Sequence, residues 1–187
     1  GFPSMCIKRD KENIIAIIGD GSLSGGEALE GLNVAGSEIN SNLIIIVNDN
    51  EQSIAEVHGG MYKNLAELRE TGGTASNNLF KAFGLDYIYE ENGNDIASLI
   101  SLFRKVKDTD HPIVVHIHTQ KGKGYEIAEK DKEGWHWCMP FDRETGKPTI
   151  SFGDGEDYTS ITAEYIMRKA KSDSELLVIT PAMPGSA

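Results

Sequence analysis

Three short apolar runs, Ile14–Ile18, Leu43–Val47 and Ile113–Ile117, constrain this chain more than any other feature. Each is almost uninterrupted and rich in β-branched residues, the pattern of strands buried on both faces of a parallel sheet. Parallel strands need long crossover connections, and helix-like segments lie between the runs. Gly26–Glu38 places Ala28, Leu29, Leu32 and Ala35 on one face, and Asp95–Lys107 does the same with Ile96, Leu99, Ile100 and Phe103. Shorter helices are expected at Met61–Arg69 and Asn77–Phe83, the second stopped by Gly84, with a further strand at Leu85–Tyr89. The order β-α-β-α-α-β-α-β predicts an α/β fold, a doubly wound, mostly parallel sheet flanked by helices.

After Ile117 the texture changes. Thr119–Tyr125 is rich in Gly and Lys, and Ala128–Gly146 is charged, with Trp135, His136 and Trp137 embedded. This stretch reads as a long loop, and loops of that length are uncommon unless functional. Thr159–Lys171 is again helical, and Glu175–Thr180 is expected to be a strand stopped by Pro181. Residues 1–150 therefore read as one domain and 151–187 as a linker with the start of another. Both ends of the chain look cut from something longer.

The ends of two strands carry the chemistry. Ile14–Ile18 runs into Gly19-Asp20-Gly21-Ser22, and Leu43–Val47 into Asn48-Asp49-Asn50. In an open α/β sheet ligands sit at the carboxyl ends of the strands, and a right-handed crossover makes these two strands neighbours. A carboxylate and an amide oxygen facing one point form a hard, oxygen-rich site suited to Mg²⁺. The helix beginning near Gly25 offers free N–H groups to an anion. Together these parts describe a metal-bridged diphosphate site. The bland alternative makes Asp20 a helix cap and Asn48-Asp49-Asn50 a turn. A dinucleotide fingerprint is disfavoured because Asp20 stands where bare backbone should meet a pyrophosphate, and no Gly-Lys-Ser/Thr follows to make a P-loop.

The net charge of −11 argues against nucleic acid or an anionic membrane as a main partner. It leaves room for an anionic cofactor held through a divalent metal. No apolar run approaches a membrane span. Gly1-Phe2-Pro3 lacks the basic start and apolar stretch of a secretory signal, and Cys6 and Cys138 show no CxxC pairing, so a reduced, cytoplasmic setting is expected.

Gly19-Asp20-Gly21, followed about thirty residues later by Asn48-Asp49-Asn50, resembles the thiamine-diphosphate motif of the transketolase superfamily. The stretches "IGDGSLSGGEALEGLNVAG", "NDNEQSI", "HIHTQKGKGYEIAEKD" and "ITPAM" are more closely similar to the 1-deoxy-D-xylulose-5-phosphate synthase family. The resemblance implies that Asp20 and Asn50 bind the metal, with the backbone carbonyl of Gln52 as a third ligand. It implies that Gly21 and Ser22 contact the diphosphate, that Tyr125 contacts the cofactor, and that His136 faces the substrate. Lys121 is chemically suited to a phosphate. Without the resemblance, Lys121 and Lys123 would read as a solvated basic loop and His136 as a packing element between two tryptophans. His116 and His118 share one face of a strand, and a partly buried strand end is the simpler explanation than a metal pair.

The implied cofactors are thiamine diphosphate and Mg²⁺, and the implied substrates pyruvate and glyceraldehyde 3-phosphate. A homodimer is implied, or a separate chain carrying the pyrimidine-binding domain with its activating glutamate. The 187 residues alone are expected not to turn over. Two readings stand beside the synthase, a split amino-terminal subunit like that of transketolase and a non-catalytic Mg²⁺-diphosphate-binding module. Two departures from the family pattern leave the acceptor open. Gly59–Ser76 is much shorter than the usual insertion, and Asn92-Gly93-Asn94-Asp95 lacks the usual histidine.

Overall fold

The computed structural model describes residues 13–150 and 157–179. Four strands, β1 (Ile14–Gly19), β2 (Leu43–Asp49), β3 (Asp86–Glu90) and β4 (Ile113–His118), form one parallel sheet in the order β1-β2-β4-β3. β1 is followed by the single turn α1 (Asp20–Leu23) and by α2 (Gly26–Ser37). The path from β2 to β3 holds α3 (Gly60–Glu70) and α4 (Leu79–Ala82), and α5 (Ile96–Val106) joins β3 to β4. Beyond the sheet lie α6 (Glu126–Lys130) and α7 (Tyr158–Ala170). The expected doubly wound architecture is what forms.

The period-two alternation of β2 divides its side chains between two cores. Leu43, Ile45 and Val47 point towards one face, where Leu32 and Ala35 of α2, Leu65 and Leu68 of α3, and Phe80 of α4 are buried with them. Ile44 and Ile46 point the other way, onto Leu102 and Val106 of α5 with Val115 and Ile117 of β4. Asp95 and Asn78 cap α5 and α4, their side chains accepting from Ser98 N–H and from Phe80 and Lys81 N–H. Gly84 ends the short helix at φ 89°, the left-handed conformation that glycine adopts freely. Gly36 meets the same corner so closely that a Cβ there would stand 1.8 Å from the Phe83 carbonyl oxygen.

Four expectations need correction. β1 is not buried on both faces, because Ile15 and Ile17 are 55% and 73% exposed. β1 is an edge strand, and α5 packs over β2, β4 and β3, leaving that face of β1 uncovered. The apolar face of α5 is made by Leu99, Leu102, Phe103 and Val106, while Ile96 and Ile100 face out. The buried flank is set by which side of α5 lies on the sheet, and its first turn stands clear of it. Residues 175–179 form no strand, since among the described residues no strand lies beside them to complete a ladder, and Thr180 lies outside the described residues. The long loop contains one short helix, α6, and an aromatic knot of Tyr125, Trp135 and Phe141. Among the described residues no helix is long and apolar enough to cross a membrane.

Candidate functional site

β1 and β2 pair in register with Gly19 opposite Asn48, so the next residues, Asp20 and Asp49, leave the sheet side by side. Asp20 begins α1, yet its side chain caps nothing, and the cap position belongs to Gly19. The Asp20 side chain is 1% exposed and its Oδ2 has no hydrogen-bond partner. A buried carboxylate oxygen without a partner is costly, and a cation is one group that could complete it. The carboxyl as a whole also faces the Gly21 and Gln52 N–H groups and Asp49. Burial, with the adjacent Asp49 charge next, pushes the Asp20 carboxyl up to about 6. A cation beside it would reverse both causes.

The loop after β2 closes over Asp20. A Cβ on Gly21 would stand 3.0 Å from the Cβ of Ser53, so Gly21 admits the chain's own loop at least as much as a ligand. Gln52 N–H donates to Asn50 Oδ1 at 3.1 Å and also faces the Asp20 carboxylate. Asn50 and Asp20 thus share one backbone donor, although Asn50 lines a separate cavity of about 330 Å³. An amide oxygen has a second lone pair, so Asn50 Oδ1 retains capacity for a cation. Asp20 opens on a cavity of about 470 Å³ between the two strand ends and α3, lined also by Asp49, Glu51, Glu56, His58 and Arg69.

Lys121 joins this group from the other side. Its ammonium donates to the carbonyls of Ser53 at 2.7 Å and Ile54 at 3.3 Å, and stands 3.1 Å from His136 Nδ1. Burial lowers the Lys121 pKa, opposed by the charge of Asp20. Lys121 and His136 therefore meet at the loop that covers Asp20. Ser22 is exposed, its carbonyl accepting Gly25 N–H at 3.1 Å. Tyr125 stands apart, with its hydroxyl donating to Arg143 O at 3.1 Å and its ring 5.0 Å from that of Trp135.

Sequence reasoning missed the buried network beneath Asp20. Asp49, given no role of its own by the sequence, is fully buried, and its Oδ2 accepts from Arg69 of α3 and from His116 Nε2 at 2.9 Å. The Tyr87 hydroxyl meets His116 Nδ1 at 2.7 Å, closing a chain from β3 through β4 to β2. Burial opposes ionisation of Asp49, but the His116 hydrogen bond and the Arg69 charge hold its carboxyl down at about 2. Burial and the Asp49 charge push the Tyr87 hydroxyl upward. His116 is not at a partly buried strand end but fully buried within β4. A histidine in mid-strand, between Val115 and Ile117, was the available signal, because a buried imidazole requires partners. His118 lies further out, 2.9 Å from Glu51 Oε1 and 3.2 Å from Glu91 Oε1.

Among the described residues no three His, Cys, Asp or Glu side chains converge on a metal position. The donors expected from the sequence are of another kind, one carboxylate, one amide oxygen and a backbone carbonyl, and Asp20 and Asn50 line neighbouring but separate cavities.

Residues 3–77 and 69–119 match the family model described as 1-deoxy-D-xylulose-5-phosphate synthase. The curated synthase of Listeria monocytogenes serotype 4b is 37% identical over 95% of this chain and 30% of its own length. That of Syntrophotalea carbinolica is 35% identical over 94% of this chain and 33% of its own length. A transketolase structure from Pichia stipitis aligns at a TM-score of 0.47 and 21% identity, over 86% of this chain and 24% of that one. The chain spans about a third of the length of the curated relatives it matches. On the family match, the chain belongs to the 1-deoxy-D-xylulose-5-phosphate synthase family.

Proposed function

We propose that this chain supplies the metal- and diphosphate-holding part of a thiamine-diphosphate-dependent synthase joining a two-carbon unit from pyruvate to glyceraldehyde 3-phosphate. The observation that carries the reading is Asp20 Oδ2, buried and unpartnered at the end of β1. Family membership supports it, because Asp20 lies within the matched residues. Asp20, Asn50 Oδ1 and the Gln52 carbonyl would hold Mg²⁺, and Gly21 and Ser22 would lie against the diphosphate. The cofactor, when bound, supplies the carbanion and electron sink for 2-keto acid decarboxylation.

The chain's own residues anchor, orient and neutralise. Asp20 holds the cation at the head of α1. Lys121, in electrostatic reach of Asp20, places positive charge where a diphosphate would bring negative charge. Its ammonium also ties down the loop at Ser53 and Ile54, which limits water around the site. His136, beside Lys121, is the group available to hold or move a proton on the substrate side. Tyr125 serves by fixing the loop that carries both, through Trp135 and Phe141.

Turnover needs more protein than the residues described. Large apolar side chains at Ile15, Ile17, Tyr158, Leu177 and Ile179 stand in solvent, as expected of surface that another domain or subunit covers. The pyrimidine-binding domain begins within 151–187 in this reading, and a homodimer or a companion chain supplies the rest. The cysteine usage favours the cytoplasm. Calorimetry with thiamine diphosphate and Mg²⁺ tests the core of the proposal. Wild type should bind only with metal, and Asp20→Ala and Asn50→Ala should each lose that metal-dependent heat. Unchanged binding in both variants would remove the site.

A further inference from the structure

Asn50 sits between two residues that the fold pins down. Asp49, before it, gives Oδ2 to Arg69 and His116 and accepts Glu51 N–H on Oδ1 at 3.1 Å. Glu51, after it, has φ 67°, the one left-handed non-glycine residue among those described. A side chain in that region persists only where its surroundings hold it. The Glu51 carboxylate is held from two sides, by Arg69 Nη2 at 3.7 Å from Oε2 and by His118 Nε2 at 2.9 Å from Oε1. Arg69 therefore touches both neighbours of Asn50, and it comes from α3, which brings no metal ligand of its own.

We propose that Arg69 is a positioning residue for the metal site. Its guanidinium spans the Asp49 and Glu51 carboxylates and keeps the turn at 49–52 in the one backbone form that aims Asn50 Oδ1 and the Gln52 carbonyl at the cation. This inference rests on Asp20, Asn50 and Gln52 being the metal ligands. A planar fork can serve two carboxylates at once, whereas the point charge of a lysine satisfies one at a time. Without the Arg69 guanidinium the Glu51 carboxylate keeps only its contact with His118, and the left-handed form is held less firmly. A turn that samples several forms must then be ordered when metal binds, and the affinity falls accordingly.

The probe is Mn²⁺ with inorganic diphosphate, titrated into the full 187-residue chain and read from the loss of the free-ion electron paramagnetic resonance signal. Arg69→Met should weaken Mn²⁺ binding by about tenfold or more, the usual scale for losing a residue that orients a ligand. Arg69→Lys should recover part of that loss. Asn78→Ala removes the cap of α4, away from the turn, and should leave Mn²⁺ affinity unchanged, which separates positioning from general loosening. Glu51→Gln, on a half-exposed side chain, should weaken binding in the same direction and serves should Arg69→Met not fold.

Wild-type affinity in Arg69→Met, or in Glu51→Gln where the first does not fold, overturns the inference while loss of binding in Asp20→Ala leaves the ligands standing. Equal weakening in Asn78→Ala and Arg69→Met overturns it as well. Unchanged binding in Asp20→Ala, or none in wild type, removes the ligand assignment and this inference with it.

Discussion

Asp20 carries a stability cost that the metal would relieve. Its carboxyl titrates at about 6 in the folded chain against 3.8 ordinarily, from burial first and the Asp49 charge second. The folded state therefore holds more protons than the unfolded one across that window, and stability falls as pH rises through it. The penalty is complete above the folded value and vanishes below the ordinary one. Asp20→Asn should accordingly raise the stability of the metal-free chain at pH 7 by about 1–3 kcal/mol, from about 1.4 kcal/mol per pKa unit. The same substitution should give no gain near pH 2.8 (about one unit below the ordinary carboxylate value) and should abolish stabilisation by Mg²⁺ and diphosphate. Thermal unfolding at the two pH values checks this. Asp20 and Asn50 were legible because Gly-Asp-Gly and Asn-Asp-Asn each end an apolar run. The role of Asp49 was not, because its partners Arg69 and His116 lie 20 and 67 residues away in the chain. Only folding brings them together.

The helices between strands show how far pattern carries and where it stops. Asn78 ends up 4% exposed and accepts from two backbone N–H groups, so Asn78→Ala should cost about 1 kcal/mol by urea unfolding. Leu68 of α3 is fully buried against the sheet, and Leu68→Ala should cost about 2–5 kcal/mol. β1, β2 and β4 were legible from their β-branched runs, β3 only as a further strand at Leu85–Tyr89, and the crossover helices from their period except the single turn α1. The expected α5 face was only partly right, because apolar residues run round more than one side of the helix and packing on the sheet, which the sequence does not show, selects Leu99, Leu102, Phe103 and Val106. The exposed face of β1 was hidden for a different reason. A run of isoleucines reads the same in a central strand and at an edge, and the strand order alone makes β1 the edge.

At the scale of the molecule the sheet sets the ends of β1 and β2 side by side, which is what the proposed cation site requires, and apolar side chains are left in solvent around it. Ile17, Leu177 and Ile179 are 73%, 79% and 86% exposed, which fits the proposal that further protein packs around this chain. The chain alone should form no deoxyxylulose phosphate from pyruvate and glyceraldehyde 3-phosphate in an assay with both cofactors. Product formed by this chain without a partner would contradict that expectation. The central claim, that Asp20 and the turn after β2 hold a divalent cation, is tested most directly by crystals grown with Mn²⁺ and thiamine diphosphate. Anomalous diffraction should place one Mn²⁺ at about 2.0–2.3 Å from Asp20 Oδ2, Asn50 Oδ1 and the Gln52 carbonyl. A peak at Glu51, His118 and Glu91 instead, with Asp20 Oδ2 still unpartnered, would contradict it.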